Sequence, residues 1–97
     1  MTTADILHQR LTDDLAPLHL ELRDDSHLHA GHAEAEAQGG SHFTTLIVSA
    51  KFEGHSLVQR HRMVYAAVGD LMKGRVHALS MQTLTPDEWR MKRSSQA

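Results

Sequence analysis

The sequence predicts a single α+β domain, ordered α-β-β-α-β-α, with a three-stranded sheet and helices packed on one side of it. Three observations carry that expectation. Two stretches repeat apolar residues at helical spacing, three others alternate or concentrate strand-forming residues, and hydroxyl caps mark where helices begin. The 97 residues allow one core and leave no room for two.

Residues 3–15 place Ile6, Leu7, Leu11 and Leu15 on one helical face, with Thr2 or Thr3 as N-cap and Pro17 beyond the end. Leu18, Leu20 and Leu22 then alternate with His19, Glu21 and Arg23, the period of a half-buried strand. Residues 24–41 are rich in Asp, Ser, Gly, Ala, His and Glu and read as a long mobile loop. His42 to Ala50 is β-branched and apolar, and reads as a central strand antiparallel to the first.

Ser56 and Gln59 form a capping box that opens a helix expected to run to Lys73, with Gly74 as its C-cap. Leu57, His61, Val64, Val68 and Leu71 form its apolar stripe, which His61 interrupts. Val76 to Leu84 is the third strand. Thr85, Pro86 and Glu88 then start a short last helix, expected to fray from Met91 into a tail over 92–97.

Composition narrows the function. There is no cysteine, which excludes a disulfide framework, thiol catalysis and a self-contained Cys-ligated iron–sulfur cluster. The first ten residues lack the pattern of a signal peptide, and no apolar run approaches membrane-spanning length. A soluble, cytoplasmic protein is the expectation. A net charge of −2 supplies no global attraction to nucleic acid, so contact with DNA would need a local basic patch. Lys51, Arg60, Arg62, Lys73 and Arg75 are the candidates for such a patch, with His61 and Tyr65 beside them. No catalytic triad, paired-carboxylate motif or phosphate-binding glycine loop occurs at a credible spacing, so an enzyme is not expected. Nine histidines are the unusual feature.

Four blocks carry a resemblance: His42-Phe43 with Val48 to Gly54, Arg60 to Tyr65, Val76 to Leu79, and Thr83 to Trp89. In this order they resemble the BolA family, over nearly the whole chain. The resemblance implies a class II KH-like fold, although no Gly-x-x-Gly nucleic-acid clamp stands at the corresponding turn, where the chain reads Phe52-Glu53-Gly54-His55. It implies a heterodimer with a monothiol glutaredoxin, the two sharing a [2Fe-2S] cluster. The glutaredoxin cysteine and glutathione hold one side, and a histidine of this chain the other. That ligand falls on His77. In some members a second comes from the loop between the first two strands, here at His29, with His27 and His32 as further metal candidates. His27-x-His29-x-x-His32 also suits zinc, copper or nickel.

The bare chemistry agrees with a shared cluster. Imidazole ligates iron and raises cluster potential, and a chain without cysteine contributes to such a cluster through imidazole. Free of its partner, the protein is expected to be a monomer or weak homodimer without cofactor. The alternative that the family also suggests is a DNA-binding transcriptional regulator, using the helix after Gly54 and its Arg/Lys cluster.

Overall fold

The computed structural model describes residues 2–25 and 41–95, in which three helices surround a three-stranded mixed sheet. His27, His29 and His32 lie outside the described residues.

Helix α1 spans Thr3–Leu15. Thr2 Oγ1 accepts from the Asp5 N–H while Asp5 accepts from the Thr2 N–H, a reciprocal cap. Leu7, Leu11 and Leu15 are buried, and Ala16 ends the helix in the left-handed region, at φ 43°. Strand β1 (His19–Asp24) pairs antiparallel with β2 (Ser41–Val48), as expected. Leu18 stays outside the strand, and its side chain is exposed. Ala50–Phe52 forms a 3-10 turn that buries Phe52.

Helix α2 (Leu57–Val68) opens with the Ser56/Gln59 capping box. It ends five residues earlier than its apolar pattern suggests. Gly69 adopts φ 61° and donates its N–H to Tyr65 O, and Gly69–Lys73 continues as a 3-10 helix. The positive φ of Gly69 ends the helix, and a contact from α1 braces the turn: Arg10 Nη1 donates to Val68 O at 2.7 Å and to Asp70 Oδ1 at 2.8 Å. The buried face also differs from the expected stripe. Arg60, Val64, Ala67 and Val68 face inward, whereas Leu57 is 63% exposed.

Strand β3 (Val76–Leu84) runs parallel to β2, giving the order β1-β2-β3, and α2 is the crossover that a parallel connection demands. One sheet face presents Phe43, Ile47 and Leu79 to the leucines of α1 and to Val64 and Val68 of α2. Helix α3 (Pro86–Ser95) begins at the reciprocal cap of Thr85 and Glu88 and continues past Met91. Its Trp89 ring stacks on His19, with centroids 4.8 Å apart.

Candidate functional site

The start of β3 departs from strand alternation, and the departure re-aims His77. Val76 pairs with Ser41 but Ala78 pairs with His42, so β3 carries one extra residue and the register shifts between Ser41 and His42. A bulge of this kind sets two residues against one and turns a side chain that would otherwise follow the pleat. Counting back from buried Leu79 by twos puts His77 on the core face; instead Val76 is buried and His77 is exposed. The bulge thus exchanges an inward imidazole for an outward one. There it meets His42 of β2: the rings are 5.5 Å apart between centroids and 14° from parallel.

The surroundings are polar and hydrogen-bonded. Asp25, just past β1, donates its N–H to His42 O at 2.7 Å. Its buried carboxylate accepts from Arg23 Nε at 2.6 Å and from the Thr44 hydroxyl. Lys73 and Arg75, exposed, lead into the strand immediately before His77. The region therefore combines an exposed imidazole, a second imidazole stacked on it and two exposed cations on the approach.

Arg60, expected on the basic surface, is buried instead. It is 7% exposed. Nε donates to His55 O at 2.9 Å, and Nη1 donates to Thr83 O at 3.1 Å and to Glu88 Oε1 at 2.7 Å. The guanidinium joins α2 to the start of α3. The Arg60 hydrogen bond, followed by the Thr85 N–H, holds the Glu88 carboxyl below the usual glutamate range. The helix carries Arg62 and Tyr65 on its exposed side, and His61 is half-buried.

The remaining cations do not form one patch. Lys51 follows the end of β2, whereas Lys73 and Arg75 precede the start of β3; because the strands are parallel, these groups lie at opposite ends of the sheet. Seven residues of strand rise separate them by about 20 Å. Lys51 Nζ also donates to Asp14 O at 2.8 Å.

A second feature escapes sequence reasoning. Trp89 and Lys92 of α3 overhang a groove on the sheet face away from the core, with Glu21, Arg23, Thr44 and Gln82 along it. A short helix after the last strand gives no signal of which face it will cross.

Among the described residues, no group of three or more His, Cys, Asp or Glu side chains is placed to hold a metal ion. His77 and its neighbour offer at most two imidazoles. The described residues therefore fit an iron–sulfur cluster as a partial donor set, completed from elsewhere, and do not fit a cluster held by this region alone.

Residues 11–88 match the family described as BolA-like protein. The chain belongs to the BolA family. BolA-like protein 1 of Mus musculus is 43% identical over 84 residues, covering 87% of this chain and 58% of that protein. SufE-like protein 1, chloroplastic/mitochondrial, of Arabidopsis thaliana is 42% identical over 86 residues, covering 84% of this chain but 23% of that protein. This BolA chain thus spans only part of the length of these relatives. It covers 84% of the DNA-binding transcriptional regulator BolA of Haemophilus influenzae, which is 33% identical over 90 residues, or 93% of this chain. Among solved structures, a Bol-like protein from Babesia bovis superposes with a TM-score of 0.79 at 35% identity, covering 96% of this chain and 95% of that one. The BolA domain of SufE1 from Arabidopsis thaliana gives 0.79 at 40% identity, covering 91% and 96%. The expected α+β class and three-stranded sheet hold, but the helices are not all on one side: Trp89 and Lys92 of α3 lie over the sheet face opposite α1 and α2. No helix among the described residues is long and apolar enough to cross a membrane.

Proposed function

We propose that this BolA-family chain is a cytoplasmic adaptor that pairs with a monothiol glutaredoxin and shares a [2Fe-2S] cluster with it, in iron–sulfur trafficking and iron-dependent regulation. The observation that carries the reading is the bulge that presents His77 outward, as an exposed imidazole at a re-aimed strand position. When bound, a cluster supplies one-electron chemistry at a potential that imidazole ligation raises. This chain's part is to bind and orient. His77 donates the imidazole, and Lys73 and Arg75 attract the carboxylates of glutathione and the partner surface. His29, with His27 and His32 beside it in sequence, is the proposed loop donor. Nothing in this role requires catalysis by the chain itself.

The test mixes the protein with a monothiol glutaredoxin, glutathione, iron and sulfide, and records visible circular dichroism. Wild type is expected to change the glutaredoxin spectrum, and His77→Ala is expected to leave it unchanged. A spectrum that wild type fails to alter would overturn the proposal.

A second reading, contact with DNA, is favoured by the name of the Haemophilus influenzae relative. Burial of Arg60 removes one cation from that interface and leaves Arg62 and Lys51 to carry it.

A further inference from the structure

His77 is exposed on a bulge, and an exposed imidazole with free rotamers loses conformational entropy when a metal fixes it. A ligand histidine is therefore commonly oriented by a neighbouring group before it binds. The ring of His42 supplies such a neighbour here. It sits on the adjacent strand, half-buried, with its backbone carbonyl held by the Asp25 N–H at 2.7 Å. Its plane is 14° from that of His77, and the 5.5 Å centroid separation falls within the range of stacked aromatic pairs.

We infer that His42 is a positioning residue for His77, a fixed aromatic floor that selects the rotamer in which the His77 imidazole is offered to a metal centre. This inference rests on the cluster-sharing reading. The geometry separates positioning from ligation. An imidazole nitrogen binds a metal through a lone pair in the ring plane. Two nearly parallel stacked rings have separate planes, so they do not aim at one ion in this arrangement. What His42 contributes is a flat surface, and a phenyl ring supplies the same. The bulge and the floor act together: the extra residue turns His77 outward, and His42, which faces both His77 and Ala78 across the strands, limits where it turns.

The experiment uses the full chain as wild type, His42→Ala, His42→Phe and His77→Ala, each checked for native far-ultraviolet circular dichroism. The first readout is the proton NMR spectrum of the His77 ring in the free protein. Removing the His42 ring in His42→Ala is expected to shift the His77 ring protons by loss of ring current. The second is titration of each variant into cluster-loaded glutaredoxin with glutathione, followed by visible circular dichroism. His42→Ala is expected to need about three- to ten-fold more protein for half-change, the scale of one aromatic pair, and His42→Phe to restore wild-type behaviour within about two-fold. If His42→Ala titrates as wild type while His77→Ala is silent, the positioning role fails and the cluster reading stands. If His42→Phe is as weak as His42→Ala, the imidazole itself is needed and the inference is overturned. Unmoved His77 ring protons in His42→Ala overturn it as well. If His77→Ala titrates as wild type, the cluster reading falls and this inference falls with it.

Discussion

Arg60 shows how a charged side chain enters a small core without an energetic penalty that the fold cannot meet. A buried guanidinium is tolerated when its donors find acceptors, and here two carbonyls and the Glu88 carboxylate receive them. Replacing it with methionine keeps much of the volume but orphans those acceptors and detaches α3 from α2. Arg60→Met is expected to lower unfolding free energy by about 2–3 kcal/mol at neutral pH, measured by urea denaturation. Its pH dependence has a definite sign. Arg60 depresses the Glu88 carboxyl, so the stability from this contact is full above the unfolded pKa of the glutamate and is lost as pH falls through the lower folded value. The gap between wild type and Arg60→Met should therefore narrow on acidification below the usual glutamate range; a gap independent of pH would refute the assignment. Sequence periodicity does not separate this residue from the surface. A stripe through Leu57 and His61 and one through Arg60 and Ala67 share Val64 and Val68, and hydropathy favours the first because arginine counts as polar. The signal present was Glu88: the carboxylate oxygen that closes the cap, Oε1, keeps a second lone pair, and Arg60 donates to it.

Among the elements, the helix starts were legible and one helix end was not. Ser56/Gln59 and Thr85/Glu88 are local devices, readable because both partners lie within one turn. The end of α2 falls at Gly69, a local stop signal that competes with Gly74, and the contact that accompanies it comes from Arg10, some 58 residues earlier in the chain. Gly69 and Gly74 make that difference measurable. At Gly69, φ is 61° and an added Cβ would stand 3.3 Å from Arg10 Nη1; at Gly74 nothing lies within 4 Å. Gly69→Ala is expected to cost about 1–3 kcal/mol in thermal or urea unfolding, and Gly74→Ala a fraction of that. Equal costs would return the helix end to Gly74. The bulge at His77 belongs to the same class of hidden feature. Val-His-Ala-Leu has a plausible alternation of its own, and only the pairing of Leu79 with Phe43 and of Val76 with Ser41 forces the extra residue. The resemblance pointed to His77 as a ligand, but the bulge that frees it, and the ring beneath it, required the fold.

At the scale of the whole molecule, the parallel pairing of β2 with β3 separates two kinds of surface that the sequence places in one basic set. Lys73 and Arg75 enter the end of the sheet that carries His42 and His77; Lys51 leaves the other end, and Arg62 projects from the helix between them. A gap of about 20 Å exceeds the Debye length at physiological salt, roughly 8 Å, so cations at one end contribute little to docking at the other. Two double variants exploit this. Lys73→Ala/Arg75→Ala is expected to weaken capture of the cluster-loaded glutaredoxin–glutathione complex about three- to ten-fold at low salt, through slower association, with the difference fading as salt rises. Lys51→Ala/Arg62→Ala should bind that complex as wild type does. On duplex DNA the order should reverse, with Lys51→Ala/Arg62→Ala losing retention and flattening the salt dependence, because each phosphate contact removed lowers the slope by close to one. Surface plasmon resonance over a salt series reads both arms on the same protein. Equal losses from the two variants on the glutaredoxin complex would mean that docking senses the total charge of the chain, and the division of the molecule into a histidine end and a helix face would have no functional content.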